Sequence, residues 1–159
     1  MTNKDVVLQA LRSQGTADAL DLRGRASALD GTAIIAEEVK VPKFDPEKDY
    51  TNWPAGSPVY EEVDDEKQVF KLITPYNASS FEGSPSTLPA LWSICHTKDP
   101  AKAKPWLAPN GTSGLYALDE CCTELNHVWK NTHDNNEFSP SAVPERWEDL
   151  GTIDDVQKG

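Results

Sequence analysis

The chain has 159 residues and a formal net charge of −11, enough for one ordinary domain but not for several large cores. The charge falls as −1 over residues 1–42, −4 over 43–103 and −6 over 104–159. No segment therefore carries the basic patch that neutralises phosphates, which excludes nucleic acid and anionic membrane surfaces as partners. No apolar run approaches the roughly 20 residues that cross a bilayer, and Met1-Thr2-Asn3-Lys4-Asp5 lacks the apolar stretch of a signal peptide; the expected product is soluble and intracellular, released by lysis if at all.

In chain order, residues 5–13 and 17–29 show apolar residues at helical spacing, with Leu22, Ala26 and Leu29 on one face of the second stretch. Asn3 and Thr16 are the predicted caps and Gly15 and Asp30-Gly31 the predicted stops, with a third short helix expected from Thr32 to just before Val41-Pro42. Helices this short are marginal in water until something covers their apolar stripe. Five Trp, four Tyr and four Phe all lie after residue 43, and this shift, with Pro42, places a boundary near Val41-Pro42-Lys43. A partner chain or a second copy is accordingly the expected cover, making residues 1–42 a docking and oligomerisation segment.

Beyond the boundary the spelling V-aromatic-K followed by P-S-x-x-P-x-x-W occurs twice, as Val69-Phe70-Lys71 with Pro85 to Trp92 and as Val128-Trp129-Lys130 with Pro140 to Trp147. A repeat of about fifty residues signals one supersecondary unit laid down in tandem. Upstream, Trp53 to Tyr60 pairs with Trp106 to Tyr116. Short Val-, Tyr-, Trp- and Phe-rich runs between Gly, Pro, Asn and Asp turns predict hairpins. The expected architecture is mainly β: two small three-stranded modules, 43–98 and 104–151, preceded by the helical segment and followed by an acidic tail, 152–159. The run Glu61-Glu62-Val63-Asp64-Asp65-Glu66 reads as a solvated hairpin turn, since it lacks the Asp/Asn spacing of a calcium loop.

In so small a sheet one indole supplies much of the core, so Trp92 and Trp147 are expected inside. Trp129 and Phe70 fit either a core or an exposed stacking face. Phe138 and Phe81 sit in loops among Glu, Ser and Gly. An exposed loop aromatic has no packing reason to be there, which nominates Phe138 with Trp106 and Tyr116, and Tyr76 with Phe81, as ligand platforms. Asp134, Asn135 and Asn136 suit both hydroxyl contacts and turn formation.

Trp106, Tyr116, Asp119, Val128-Trp129-Lys130, Asp134-Asn135-Asn136, Pro140 and Trp147 resemble, in that order, the chitin-binding type of carbohydrate-binding module, families 5 and 12, in the tandem form found in bacteriophage virion proteins. Residues 44–97 resemble a more divergent copy. The resemblance implies a non-catalytic virion accessory protein of tail, baseplate or head fibre. It would stack aromatic rings on the apolar face of host cell-surface polysaccharide and dock other virion proteins through residues 1–42 as a homo-oligomer. The rival expectation is a structural virion subunit whose aromatics pack against neighbouring proteins and touch no sugar.

Cys95, Cys121 and Cys122 read as small buried hydrophobes, with Cys121 and Cys122 on opposite faces of a strand. No CxxC spacing pairs them with His96, His127 or His133 for zinc, so no metal or cofactor is expected. Hydrolase, P-loop and zinc-protease motifs are absent, and no enzymatic activity is expected.

Overall fold

A computed structural model describes residues 2–158; the segment expectations that touch Met1 and Gly159 lie outside them. Helix α1 runs from Asn3 to Arg25. Thr2, not Asn3, caps it: the Thr2 hydroxyl accepts the Asp5 amide at 3.1 Å and the Asp5 carboxylate accepts the Thr2 N–H at 3.1 Å, a reciprocal capping box. Gly15 does not stop the helix and Thr16 lies within it, because an exposed mid-helix glycine costs only about 1 kcal/mol, too little to break 23 residues. A short turn leads to α2, Gly31–Ala36, whose cap is Asp30, accepting the Ala33 amide at 2.9 Å.

Two sheets follow. The first contains β1 (Pro58–Val63), β2 (Glu66–Leu72) and β3 (Trp92–Ile94) in antiparallel order. The second contains β4 (Lys104–Pro105), β5 (Cys121–Glu124), β6 (His127–Asn131) and β7 (Trp147–Thr152), with β4 parallel to β5 and the rest antiparallel. Both hairpins turn on two residues of positive φ, Asp64-Asp65 (53° and 65°) and Leu125-Asn126 (53° and 64°), the geometry whose twist matches paired strands. The acidic run is thus a hairpin turn, as expected. Where an acidic tail was expected, Ile153–Gln157 form a last helix, α3. Helix takes 33% of the chain and strand 26%, so "mainly β" describes only the part beyond residue 42.

The repeat is visible in the hydrogen bonds themselves. Phe44 N–H donates to Tyr60 O at 2.8 Å and Trp106 N–H to Thr123 O at 3.0 Å; Tyr50 N–H donates to Tyr76 O at 2.7 Å and Tyr116 N–H to Asn136 O at 3.0 Å; Ile73 N–H donates to Leu91 O at 2.7 Å and Thr132 N–H to Arg146 O at 2.8 Å. Glu61 and Glu124 each accept the amide of the Ser after the matched Pro, Ser86 at 3.1 Å and Ser141 at 2.8 Å. The pairs corrected by this pattern are the upstream ones. Trp106 is equivalent to Phe44, not Trp53, and Tyr116 to Tyr50, not Tyr60, because the spacing between these aromatics and β1 or β5 differs in the two copies.

Each sheet is covered on both faces. On the first, Val59, Phe70, Leu72 and Trp92 face Tyr50 and Tyr76, while Val69 and Cys95 face Leu22, Ala26, Ile34, Ile35 and Val41. The buried apolar residues between 22 and 41 are therefore covered by the first sheet. The Lys71 ammonium donates to Leu29 O at 2.7 Å, and Lys104 pairs with Glu38. On the second sheet, Cys121 and Val128 face Ala103, Leu150, Ile153 and Val156, so α3 takes the place that the N-terminal helices take on the first.

Gly15 has open space where a Cβ would stand, whereas a Cβ on Gly31 would overlap His96 O. Gly15→Ala should raise stability by about 1 kcal/mol, and Gly31→Ala should lower it by about 1 to 3 kcal/mol. Urea unfolding of the two variants beside the parent checks both signs.

Candidate functional site

The second sheet's aromatic face holds Tyr116, Cys122 and Trp147 buried, with Trp106 and Trp129 half-buried against them. β6 fixes Trp129 opposite Cys122, and the indole N–H donates to Glu124 O at 3.0 Å. β7 bulges between its pairings with Val128 and Trp129, and its Asp149 carboxylate accepts a 2.8 Å hydrogen bond from His127 Nδ1. That bond, with the Gly151 amide second, holds Asp149 below the usual carboxylate range. The His127 ring lies 6.1 Å from Trp129. A half-exposed indole bordered by an imidazole–carboxylate pair is a surface that can cover an apolar ring face and hydrogen-bond its rim.

Several expected platform residues are elsewhere. Tyr116 is buried, its ring stacked on His96 at 3.7 Å and edge-on to Trp147 at 5.3 Å. Tyr76 is buried too, and its hydroxyl accepts the Trp92 indole N–H at 2.8 Å. Asn136 is fully enclosed, donating to Asn131 Oδ1 at 2.9 Å while its own Oδ1 accepts the Phe138 amide at 3.0 Å. None of these three meets a ligand from solvent; each fills or ties the interior that the small sheets cannot supply alone. Asn135 is exposed at φ 54° beside Asp134, whose carboxylate accepts its amide at 3.1 Å, which is turn chemistry.

Phe138 is 37% exposed and sits under the Arg146 guanidinium at 5.1 Å, and its carbonyl accepts the Trp147 indole N–H at 3.0 Å. Phe81 is 53% exposed and edge-on to Tyr76 at 5.3 Å. Of the eight expected residues, the structure brings Trp106, Trp129 and Tyr116 together, the last as support. Trp92 and Trp147 are inside, as expected.

The two copies differ at the decisive position. Phe70, equivalent to Trp129, is 2% exposed inside the first sheet's aromatic cluster, against which Phe44, Trp53, Leu88, Leu91, Ile94 and Leu107 pack. Trp129 is half-buried, at the margin of its own cluster. Sequence reasoning missed Asn131, the equivalent of Leu72, which donates to Tyr116 O, Ala117 O and His133 O at 3.0, 2.9 and 2.8 Å. An amide at an inward strand position after Val-Trp-Lys was its available signal, since a buried amide must find partners. His96 was missed as well; its Nε2 donates to Gly114 O at 2.9 Å, and no motif announces it.

The three thiols are free and buried. Burial pushes Cys95 up to about 12 and Cys121 up to about 11, and raises Cys122 as well, so none is a ready thiolate. Among the described residues no three His, Cys, Asp or Glu side chains converge as a metal-holding group. No protein-family model matches the sequence, and no curated protein and no solved structure shows significant similarity to it.

Burial lowers the His96 pKa to about 4. The native state therefore refuses a proton that the unfolded chain accepts near pH 6.5, and stability falls as pH drops from about 6.5 toward 4. Glu120, raised by burial, opposes this slope near and above pH 4.5. Unfolding free energies at pH 7 and pH 5 should differ by about 2 kcal/mol from His96, and His96→Phe, which keeps a ring on Tyr116, should remove most of that difference.

Proposed function

We propose that the chain is a non-catalytic accessory protein of a bacteriophage particle that contacts host-surface polysaccharide through the second sheet. The observation that carries this reading is the open position of Trp129 beside Trp106, where the equivalent Phe70 of the first sheet is sealed. Filling the interior accounts for Phe70; it leaves the outward part of Trp129 without a packing role. The virion setting is supported by the ordered motif set and by the tandem arrangement behind a helix. The elevated thiols support a role without nucleophilic catalysis. On this reading the two copies divide the work, the first as scaffold and the second as contact surface.

A structural reading has one observation of its own. Val6, Val7, Leu8, Leu11 and Leu20 on α1 are each more than 40% exposed, so the helix ahead of Leu22 retains a run of apolar surface. Docking of α1 on other virion proteins, or on copies of itself, would cover it.

Binding to cell-wall or capsular glycan arrays should fall at least tenfold with Trp129→Ala while circular dichroism and melting stay near the parent's. Binding that survives this change, or no glycan binding together with an assembly state abolished by Leu8→Ser/Leu11→Ser, would move the assignment to the structural role.

A further inference from the structure

An open groove of about 740 Å³ runs between α1 and the segment from Pro42 to Trp53. Its α1 wall carries Gly15, Thr16, Ala19, Leu20 and Arg23. Three cations line the groove. The Arg23 guanidinium carbon lies over the Trp53 ring, 3.6 Å from the centroid, with the Lys48 ammonium 5.3 Å from the same ring, and Lys43 lines the groove as well. Asp45 is the one carboxylate on the lining. Three cations to one anion is the reverse of the balance of a chain with net charge −11.

Arg23 is also uncommitted. Its Nε is enclosed and has no acceptor among the described residues, and no carboxylate forms an ion pair with it there, unlike Arg25, which is paired with Asp21 and Glu37. Burial lowers its pKa, as expected for a charge partly removed from water without a counter-ion. A guanidinium already held over an indole, 3.6 Å from the ring centroid, loses little freedom on binding, and its fork matches a carboxylate.

We propose that this groove binds an acidic carbohydrate, with a sugar carboxylate on Arg23, neighbouring charge or hydroxyls on Lys43 and Lys48, and a ring face along Ala19 and Leu20. An acidic peptide fits less well. An extended peptide gains its affinity from a free strand edge, and the backbone here is already used: α1 bonds internally, Pro42 O accepts Tyr60 N–H, Phe44 N–H donates to Tyr60 O, and Asp45 N–H donates to the Tyr50 hydroxyl. What remains on offer is side chains and a shallow apolar wall, which suits a hydroxylated ring carrying one charge. The choice of a sugar rests on the polysaccharide reading above, whereas the site is separate from Trp129.

Titration calorimetry of the full chain with a galacturonate trimer and with the neutral galactose trimer tests the proposal. The uronate should bind at least tenfold more tightly, Arg23→Gln should cost at least tenfold, and Lys43→Gln/Lys48→Gln, two exposed changes that leave the Arg23 stack intact, should cost several-fold. Trp129→Ala should leave this binding unchanged, so a failure at Trp129 reports on the earlier reading alone. Equal affinity for the two trimers, no uronate binding at millimolar concentration, indifference to both sets of variants, or a Glu hexapeptide that competes on equal terms would overturn it.

Discussion

Strands of at most seven residues in sheets this narrow leave two faces to cover and almost no interior between them. The solution in both copies is one indole at the start of the last strand, Trp92 or Trp147, laid across the sheet and anchored by its N–H. Burying an aromatic side chain of that size is worth about 4 to 6 kcal/mol as an upper bound, a large part of what so small a unit has available. Everything else follows from the need to enclose that ring on one side and the aliphatic face on the other. The N-terminal helices enclose the aliphatic face of the first sheet and α3 that of the second, which is why the ends of the chain are helical although its middle is not.

The copies have diverged in how they hold the indole. In the first, Trp92 donates to the Tyr76 hydroxyl and the interior is aromatic and aliphatic, with Leu72 and Tyr76 at the equivalent inward positions. In the second, Asn131 and Asn136 occupy those positions, Trp147 donates to Phe138 O, and an amide network replaces the second ring. The network is fully partnered, as a buried polar group must be to avoid a cost of a few kcal/mol. It pins the 131–138 loop to the sheet and so fixes Phe138 and Asn135 in turn geometry. His96 joins the copies: its ring stacks on Tyr116, its ring N–H reaches Gly114 O, and the next residue, Thr97, accepts the Cys121 amide at 2.7 Å.

The tandem pattern, the hairpin turns, the inward Trp pair and the buried thiols were all legible in the sequence, because each depends on local spacing or on the size of one side chain. Four things were not. Helix α1 runs through Gly15, since a single exposed glycine is a weak stop. The upstream pairing of Trp106 followed residue type, whereas the backbone bonds pair it with Phe44. The burial of Tyr76, Tyr116 and Asn136 depends on contacts between segments far apart in the chain, and an aromatic in a loop reads the same whether the loop folds over the sheet or away from it. The half-burial of Trp129, which by sequence fits either a core or a stacking face, was equally out of reach, since it depends on which distant segments pack beside it.

Leu107 lies directly after Trp106, so the same short segment supplies the second copy's outer ring and packs on the aromatic cluster that encloses the first copy's Phe70. After the second sheet α3 turns back onto the aliphatic face, and Trp129 on the other face stays half-buried. Its surroundings also set what it can meet: with four basic and ten acidic residues beyond position 103, the field around Trp129 disfavours polyanions, while the Arg23–Lys48 side of the first copy attracts them. On the two proposals made above, contacts at the two surfaces would be individually weak and would gain together, by effective concentration, what each lacks alone.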